Sequence, residues 1–380
     1  MAMRIQVGVG KCFDAARLIP VRRAHVALSA QEADVWFAGK LLAAGAACAV
    51  APTVNPGYCL EYFQNRLMPA AIQNMQDTHR IYQSLGARLT YSCTPYLTDN
   101  VPEYGEVVAF SETNATVYVN AVLGARTNRE SAASALCAAV TGFVPEYGML
   151  LAENRFADIW VRVDAPLQSD FDYAVLGLAG KRIGKGIPAF MGLPGKIGTE
   201  ALIALGAELN VSGNFDLYHI PGVTAESRML PDIFGGLPPM REVVLTQADL
   251  EQVLEEFSPG RTGEIEYCIL GCPHYTYRQI QTVVQLLNGA PSHAPIYILT
   301  SATVKREAKE SGLEEELQAL GGELIADTCV DEPCCWGHLA GKYGVTDSPK
   351  GAYYMETAGV NLTVRDTSTC IRWAKKGRIC

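Results

Sequence analysis

Three cysteines of this chain stand just after short apolar segments whose residue types are typical of β-strands. The segments are residues 88–92, 265–271 and 323–328, and they lead into Cys93, Cys272 and Cys329. The carboxyl ends of parallel strands share one edge of a sheet, where α/β proteins bind ligands. We therefore expect three thiols from distant parts of the chain to converge on one metal centre.

Three thiolates can hold an iron–sulfur cluster while one iron keeps no protein ligand. That iron is open to substrate, which favours a Lewis-acid hydro-lyase over an electron carrier, because carriers normally close every position. The alternative is that the thiols are small buried hydrophobes, as free cysteines often are. Cys12, Cys48, Cys137 and Cys268 fit that alternative, and no C-x-x-C pair indicates a zinc ribbon or ferredoxin-type run.

Length and composition indicate a globular enzyme. A chain of 380 residues is expected to form two or three lobes, and 49% hydrophobic with 19% charged residues is ordinary for such a protein. The net charge of −9 and the lack of any Lys/Arg block argue against a nucleic-acid partner. No apolar run has the length of a membrane span, and the N-terminus does not resemble a signal peptide. Twelve cysteines then favour a reducing compartment, so we expect a cytoplasmic protein.

Strand-like and helix-like segments alternate along the chain, which predicts an α/β fold with largely parallel sheets. Helical spacing is clearest over residues 69–85, where Gly86 supplies the stop. The other predicted helices cover residues 129–141, 199–209, 248–257, 276–287 and 350–358. The other predicted strands cover residues 106–110, 216–220, 242–245, 264–270, 295–299 and 361–364.

A glycine-dense stretch covers residues 184–198. It has neither the G-x-G-x-x-G arrangement that opens a helix after a strand nor the Gly-Lys-Ser/Thr ending of a P-loop. Close packing between lobes is therefore the expected role of these glycines. We expect an approximate lobe boundary near residue 195.

Several motifs together resemble one known family. In the first half they are residues 17–21, 24–26, 93–97, 110–112 and 120–130, and in the second half residues 271–274, 327–329 and 348–350. The run Leu-Gly-Ala-Arg-Thr-Asn-Arg-Glu at residues 123–130 is long enough to be specific. On these motifs the chain is similar to the aconitase X family over nearly its whole length.

The resemblance implies a fold of aconitase-like catalytic lobes, with mostly parallel sheets flanked by helices and a cluster between the lobes, over residues 1–380. Known members of the family dehydrate mevalonate 5-phosphate or cis-3-hydroxy-L-proline. The expected function is therefore an iron–sulfur-dependent hydro-lyase, or dehydratase, that acts on a small acidic hydroxy compound. The chain resembles the mevalonate 5-phosphate enzyme, and the hydroxyproline enzyme is the alternative.

The resemblance also implies site residues. Family members hold the iron centre, expected to be a [4Fe–4S] cluster, on three cysteines that match Cys93, Cys272 and Cys329. The family's substrate positions match Ser29, Asn55, Pro56, Glu112, Thr113 and Lys350. Glu112 is also the catalytic candidate, which could orient substrate or transfer a proton.

Each polar candidate has a structural alternative. Glu112 precedes a helical stretch and could cap it, whereas Lys350 could be a solvated lysine at a helix start. Asn55 could be a turn former between two prolines. His274 could hydrogen-bond a ligand sulfur or pack in a turn.

The resemblance implies a partner as well. In the aconitase superfamily a swivelling domain supplies the catalytic base, typically a serine, and no segment for it is expected after residue 380. We therefore expect a separate small swivelling-domain subunit and a heterodimer, with no nucleic acid and no membrane as partners.

Two rival interpretations remain open. Ala27 to Ala30 depart from the family's small-residue loop, and Cys334 and Cys335 add two thiols near a proposed ligand. Both departures favour a non-catalytic iron–sulfur or metal-binding subunit. A thiol enzyme that uses Cys334 or Cys335 as nucleophile is the second rival, but no Cys–His–Asn arrangement supports it.

Overall fold

The computed structural model describes residues 1–27, 32–229 and 232–379, and its helices and strands alternate as the sequence predicts. The helices are α1 (Ala2–Cys12), α2 (Glu32–Ala43), α3 (Leu60–Phe63), α4 (Pro69–Leu85), α5 (Thr113–Tyr118), α6 (Ala132–Thr141), α7 (Asp170–Leu178), α8 (Gly180–Ile183), α9 (Thr199–Gly213), α10 (Ala225–Met229), α11 (Gln247–Phe257), α12 (Tyr277–Leu287), α13 (Ala302–Glu310), α14 (Leu313–Ala319), α15 (Pro333–Trp336), α16 (Pro349–Met355) and α17 (Thr367–Lys376).

The strands are β1 (Leu18–Pro20), β2 (Arg23–Val26), β3 (Thr53–Val54), β4 (Val108–Phe110), β5 (Phe143–Pro145), β6 (Ile159–Asp164), β7 (Pro188–Met191), β8 (Arg241–Thr246), β9 (Gly263–Glu264), β10 (Tyr267–Leu270), β11 (Ile296–Thr300), β12 (Gly322–Ala326), β13 (Tyr343–Thr346), β14 (Asn361–Val364) and β15 (Arg378–Ile379). They form three parallel sheets and two short antiparallel pairs, β1–β5 and β9–β15.

The largest sheet has the order β12-β11-β10-β13-β14, and every neighbouring pair in it is parallel. Its strands therefore end at one edge. Cys272 follows β10 at that edge, Cys329 follows β12, and Lys350 follows β13 as part of α16.

Two three-stranded parallel sheets complete the fold, with the orders β3-β2-β4 and β7-β6-β8. In the first of these, Asn55 directly follows β3 and Glu112 comes two residues after β4. The second sheet uses strands from both sides of residue 195.

Side chains of β10 alternate between two apolar cores, because successive residues of a strand point to opposite faces. Tyr267 and Ile269 pack in a core with α4, α6 and α15, whereas Cys268 and Leu270 pack in a core with α12, α14 and α17. Both faces of the large sheet are thus covered, as an all-parallel sheet requires. A third core joins β4 and α5 to β6 and α9.

Helix α4 has the predicted bounds. Gly86 ends it in the left-handed conformation with φ 93°, which glycine adopts without a Cβ penalty. Helix α6 begins at Ala132 rather than at residue 129, because Ser131 and Ser134 form a reciprocal capping box there.

Two predicted strands are not strands in the structure. Residues 88–92 pair with β3 through a single bridge, Arg88 to Thr53, and residues 216–220 pair with β7 through the bridge His219 to Ala189. Both segments are extended but too irregular for a ladder. Within the described residues, no helix has the length and hydrophobicity needed to span a bilayer.

Candidate functional site

The three predicted cysteines line one cavity of about 300 Å³. That volume suits a small ligand. The same cavity is lined by five of the predicted substrate positions, namely Asn55, Pro56, Glu112, Thr113 and Lys350. The sixth, Ser29, lies outside the described residues.

Parallel strand ends explain why residues so distant in sequence meet here. Asn55 and Glu112 come from the edge of the β3-β2-β4 sheet, and Cys272, Cys329 and Lys350 come from the edge of the five-stranded sheet. The two edges border the same cavity. Cys93 does not follow a strand of either sheet and lies instead at the end of the extended segment that begins at the Arg88–Thr53 bridge.

Gly271 allows the turn from β10 into Cys272. Its φ of 99° lies in the region that favours glycine, and a Cβ there would overlap the carbonyl oxygen of Leu299 in β11. Ser348, the N-cap of α16, then donates its hydroxyl to the Cys272 carbonyl oxygen and accepts a hydrogen bond from the Gly351 N–H. The start of α16 is thereby tied to the cysteine loop.

The three thiols lie in a largely buried environment, in which Cys93 is buried and Cys272 and Cys329 are partly exposed. Burial raises the pKa of Cys272 to about 12, against a smaller opposing effect of Lys350. Burial also raises the pKa of Cys93 and of Cys329 well above the usual thiol range. Thiols of this kind become thiolates only where positive charge, such as that of a metal, compensates them.

Backbone donors reach two of the sulfurs. The His274 N–H lies 3.2 Å from the Cys93 sulfur, and the Asp331 N–H lies 3.4 Å from the Cys329 sulfur. Such donors stabilise negative charge on sulfur, and they are among the groups that tune iron–sulfur centres.

His274 joins all three cysteine segments. It lies two residues after Cys272, its backbone contacts the Cys93 sulfur, and its Nε2 donates to the Thr328 carbonyl oxygen at 3.0 Å, next to Cys329. Burial lowers the pKa of His274 to about 4, so the ring is neutral. The contact of His274 with a cysteine sulfur is made by its backbone N–H, whereas its ring hydrogen-bonds the Thr328 carbonyl oxygen.

The donor set is compatible with an iron–sulfur cluster. Within the part of the chain that the structure describes, no three His, Cys, Asp or Glu side chains are placed to hold one metal ion. Three thiols that line one cavity are the kind of donor set that an iron–sulfur cluster takes from a protein.

Glu112 and Lys350 form a buried ion pair in the same cavity. Lys350 Nζ lies 3.0 Å from Glu112 Oε1, and each side chain is 7% exposed. Burial alone would lower the pKa of Lys350, but the charges of Glu112 and Cys272 outweigh it and hold the pKa well above its usual value. Lys350 is therefore a fixed cation and not a solvated surface lysine.

Glu112 does cap α5, as the structural alternative predicted. Its other oxygen accepts the hydrogen bond of the Ala115 N–H, and the side chain nonetheless lines the cavity. The two oxygens thus have separate partners, which holds the carboxylate in one orientation.

Glu208 contacts the backbone of Lys350 and does not itself line the cavity. Its Oε1 accepts the hydrogen bond of the Lys350 N–H at 2.8 Å, and its Oε2 is buried without a partner among the described residues. Burial raises the pKa of Glu208 to about 8, while the contact with Lys350 opposes the shift. The sequence offered no signal for this residue, since α9 presents Glu208 as one polar position among apolar ones.

The loop of Asn55 and Pro56 is anchored at both ends. The Asn55 N–H donates to the Val26 carbonyl oxygen, and the Cys329 N–H donates to the Gly57 carbonyl oxygen. Asn55 is therefore more than a turn former, because its loop fixes the position of Cys329.

Further polar residues line the cavity, among them Asp331, Glu332 and Tyr354. Tyr354 lies one helical turn after Lys350 in α16, a spacing that could have revealed it. Asp331 and Glu332 follow Cys329 directly. Burial, then the charges of Cys334 and Asp331, raise the pKa of Glu332 to about 9.

Cys334 and Cys335 do not line the cavity. Their sulfurs are 3.9 Å apart in α15, and Trp336 in the same helix donates to the Cys329 carbonyl oxygen. Trp336 therefore links α15 to Cys329, but the two thiols point elsewhere.

These features define an α/β enzyme with a three-thiol centre and a buried Lys–Glu pair at the meeting point of two parallel sheet edges. Family models for the aconitase X first, second and third domains match residues 1–153, 157–255 and 265–376. The chain belongs to the aconitase X family.

Similar proteins agree with this assignment. The chain is 34% identical to the phosphomevalonate dehydratase large subunit of Thermococcus kodakarensis, over 98% of this chain and 94% of that protein. It is 31% identical to the cis-3-hydroxy-L-proline dehydratase of Pseudomonas aeruginosa, over 100% of this chain and 67% of that protein. The crystal structure of T. kodakaraensis aconitase X, holo-form, superposes with a TM-score of 0.88 at 32% identity, and covers 98% of this chain and 94% of that one.

The predicted fold and enzyme class are confirmed by these relatives. The protein is a hydro-lyase of the aconitase X type, with parallel sheets flanked by helices.

Proposed function

We propose that this chain is the large, catalytic subunit of an iron–sulfur-dependent dehydratase that acts on a small hydroxy acid. The observation that carries the proposal is the convergence of Cys93, Cys272 and Cys329 with the Lys350–Glu112 pair on one cavity. A metal-binding subunit without activity would need the thiols but not a buried cation that faces them.

Cys93, Cys272 and Cys329 would hold a [4Fe–4S] cluster. When bound, the cluster would supply Lewis-acid assistance to the loss of the substrate hydroxyl group. The chain's own part is to keep the thiols largely buried and to donate backbone hydrogen bonds to two of them.

Lys350 would bind the substrate carboxylate as a fixed point charge, because it is cationic, buried and inside the cavity. Glu112 holds the Lys350 ammonium group in place, and Asn55 and Thr113 add polar groups to the lining of the same cavity. This fixed arrangement would orient the C–H bond toward the base.

The carboxyl-rich lining of the cavity favours a substrate with an ammonium group, because a nearby positive charge would offset the burial that raises the pKa of Glu332 and of Asp331. Four carboxyl groups line it, from Asp34, Glu112, Asp331 and Glu332, whereas Lys350 is the one cation among its described lining residues. Residues 28–31 would add none, because they are Leu, Ser, Ala and Gln. A hydroxy amino acid such as cis-3-hydroxy-L-proline suits this balance, since its ammonium group can face the acidic wall and its carboxylate can face Lys350.

Mevalonate 5-phosphate is the second candidate substrate. The observation in its favour is the 34% identity to the T. kodakarensis phosphomevalonate dehydratase large subunit. Its phosphate would need several donors at one end of the cavity, which Asp331 and Glu332 do not offer.

A small subunit is proposed as the partner. The archaeal relatives are named large subunits, and about a third of the P. aeruginosa hydroxyproline dehydratase lies outside the region matched by this chain. We propose that a separate swivelling-domain subunit closes the cavity and brings the catalytic base, a serine.

The test is to co-express the chain with a candidate small subunit, purify the pair anaerobically and follow water loss from both substrates. We expect turnover of the hydroxy amino acid by the pair and none by the chain alone. A cluster-loaded pair that is inert to both substrates, or a chain that is active alone, would contradict the proposal.

Two matched variants sharpen this assay. Lys350→Met should abolish turnover, whereas Lys342→Met, at an exposed lysine, should leave it unchanged. Asp331→Asn should weaken binding of the hydroxy amino acid. If Asp331→Asn instead left that binding unchanged, the cavity charge would not be what selects the substrate.

A further inference from the structure

A line of buried polar side chains lies behind the cavity and ends at Asn55. Asn100 is 1% exposed, and Thr53 and His25 are fully buried. None of these three lines the cavity. His25 and Thr53 are paired across β2 and β3. The direction of each hydrogen bond among these residues can be worked out from the donors and acceptors that each side chain carries.

The Asn100 side chain fixes which atom donates in its hydrogen bond with Thr53. Its Nδ2 lies 2.9 Å from the Ala24 carbonyl oxygen and 2.9 Å from Thr53 Oγ1. A carbonyl oxygen only accepts, so the amide nitrogen of Asn100 must face it. The second amide proton then goes to Thr53, whose hydroxyl accepts this bond and keeps its own proton to donate.

Thr53 sets the tautomer of His25. Thr53 Oγ1 lies 2.8 Å from His25 Nδ1 and 3.5 Å from the Ala24 carbonyl oxygen, which already accepts from Asn100. If His25 Nδ1 carried the proton, the Thr53 hydroxyl could donate only to the Ala24 carbonyl oxygen at 3.5 Å. The arrangement in which the hydroxyl donates to Nδ1 at 2.8 Å is therefore favoured, and Nδ1 is the acceptor. Burial lowers the pKa of His25 to about 4, which keeps the ring neutral. A neutral imidazole carries one proton, and it must therefore sit on Nε2.

His25 sets the orientation of Asn55. His25 Nε2 lies 3.4 Å from Asn55 Oδ1, and only an oxygen can accept from a protonated Nε2. The amide nitrogen of Asn55 is thereby turned away from His25. It makes no hydrogen bond to any residue within the described ranges, and Asn55 lines the cavity.

We propose that His25 is a positioning residue, and that the Asn100–Thr53–His25 relay fixes the Asn55 amide as a hydrogen-bond donor toward the substrate. The ligand it selects is a substrate oxygen, in a carboxylate or a hydroxyl group. The substrate part of this inference rests on the proposed function, whereas the tautomer of His25 does not. With the opposite tautomer, Asn55 would turn its oxygen to the cavity, where it would repel a carboxylate and could only accept from a hydroxyl group.

The tautomer is tested directly by long-range ¹H–¹⁵N spectra of the full chain labelled at its six histidines, with His25→Gln to identify the signal. We expect His25 to be protonated on Nε2 alone in the wild type and in Thr53→Ser. Thr53→Val removes the hydroxyl at nearly constant shape, and we expect it to give a mixture of tautomers. A wild-type His25 that carries its proton on Nδ1 would overturn the relay, whatever the substrate.

The consequence for binding is tested in the assembled enzyme with the same variants. We expect Thr53→Val to raise KM about tenfold with a smaller change in kcat, the loss of roughly one oriented hydrogen bond. Thr53→Ser should restore KM. A merely structural role would lower thermal stability in Thr53→Val without this KM–kcat split, and that result would overturn the positioning role. If the wild-type pair turns over neither substrate, the proposed function fails while the spectra still decide the tautomer.

Discussion

The ion pair between Lys350 and Glu112 is the least replaceable contact of the site. Both partners are buried, and both lie beside thiols whose burial already disfavours negative charge. Removing one partner of such a pair leaves an uncompensated charge, while removing both leaves none.

A double-mutant cycle on this pair should show that asymmetry. We expect Lys350→Met to lower the free energy of unfolding by about 3–5 kcal/mol, and the Lys350→Met, Glu112→Gln double variant to lose clearly less than the sum of the losses in Lys350→Met and in Glu112→Gln. Chemical denaturation of the purified chain measures all three variants. Additive losses would mean that the two side chains do not interact.

The matched control for this cycle is the Arg155–Glu226 pair, which is equally buried, with 2% and 6% exposure, and does not line the cavity. Arg155→Met should also destabilise the fold. It should leave the affinity of the remaining folded enzyme for its substrate unchanged, which separates stability from function.

The raised pKa of Glu208 predicts how the free energy of unfolding depends on pH. Its pKa is raised from 4.5 to about 8 in the folded chain. An unfolded carboxyl therefore releases a proton that the folded one keeps, so this group's contribution to stability is present at low pH and is lost between pH 4.5 and 8. We expect Glu208→Gln to keep the contact with the Lys350 N–H and to flatten the fall in unfolding free energy over that range. An unchanged pH profile would show that Glu208 ionises normally.

At the scale of elements, the periodicity of apolar residues and the stop signals predicted the bounds of individual helices and strands. The apolar spacing of residues 69–85 and the stop at Gly86 correspond to α4, and residues 361–364 form β14 as predicted. Strand ends correctly indicated the location of Cys272 and Cys329 for the same reason, since β10 and β12 belong to one parallel sheet.

The features that the sequence did not predict depend on contacts between residues that are far apart in the chain. Residues 88–92 have strand-like composition, but β3 is only two residues long and offers one bridge to Arg88. Glu208 and the Asn100–Thr53–His25 relay are polar residues in apolar surroundings, and their importance arises only from partners that folding brings near. Ser29 lies outside the described residues, so its role stays a prediction.

Gly271 forms the turn between β10 and Cys272, and a substitution there tests whether this turn is needed for metal binding. Gly271→Ala would place a Cβ against the Leu299 carbonyl oxygen at a φ of 99°, so we expect the turn to shift and the iron content of the purified chain to fall. Gly86→Ala is the control, because its φ of 93° is equally unfavourable but no atom lies within 4 Å of the added Cβ. It should cost about 1–2 kcal/mol of stability and leave the iron content intact. Equal iron content in the two variants would show that the turn at Gly271 is not needed for metal binding.

At the scale of the whole molecule, the site exists because two parallel sheets end at one cavity. Neither edge is complete alone, since one brings Asn55 and Glu112 and the other brings Cys272, Cys329 and Lys350. The three family domains meet between residues 153 and 157 and between 255 and 265. The lobe boundary near residue 195 stays a prediction, as does the position of the cluster between lobes.

The most direct measurement is iron and acid-labile sulfide in anaerobically purified protein, for the wild type and for single Cys→Ser variants. We predict a full cluster in the wild type and in Cys334→Ser, whose thiol does not line the cavity, and loss of the cluster in each of Cys93→Ser, Cys272→Ser and Cys329→Ser. Full iron and sulfide in Cys272→Ser would contradict the three-thiol centre and, with it, the dehydratase mechanism built on that centre.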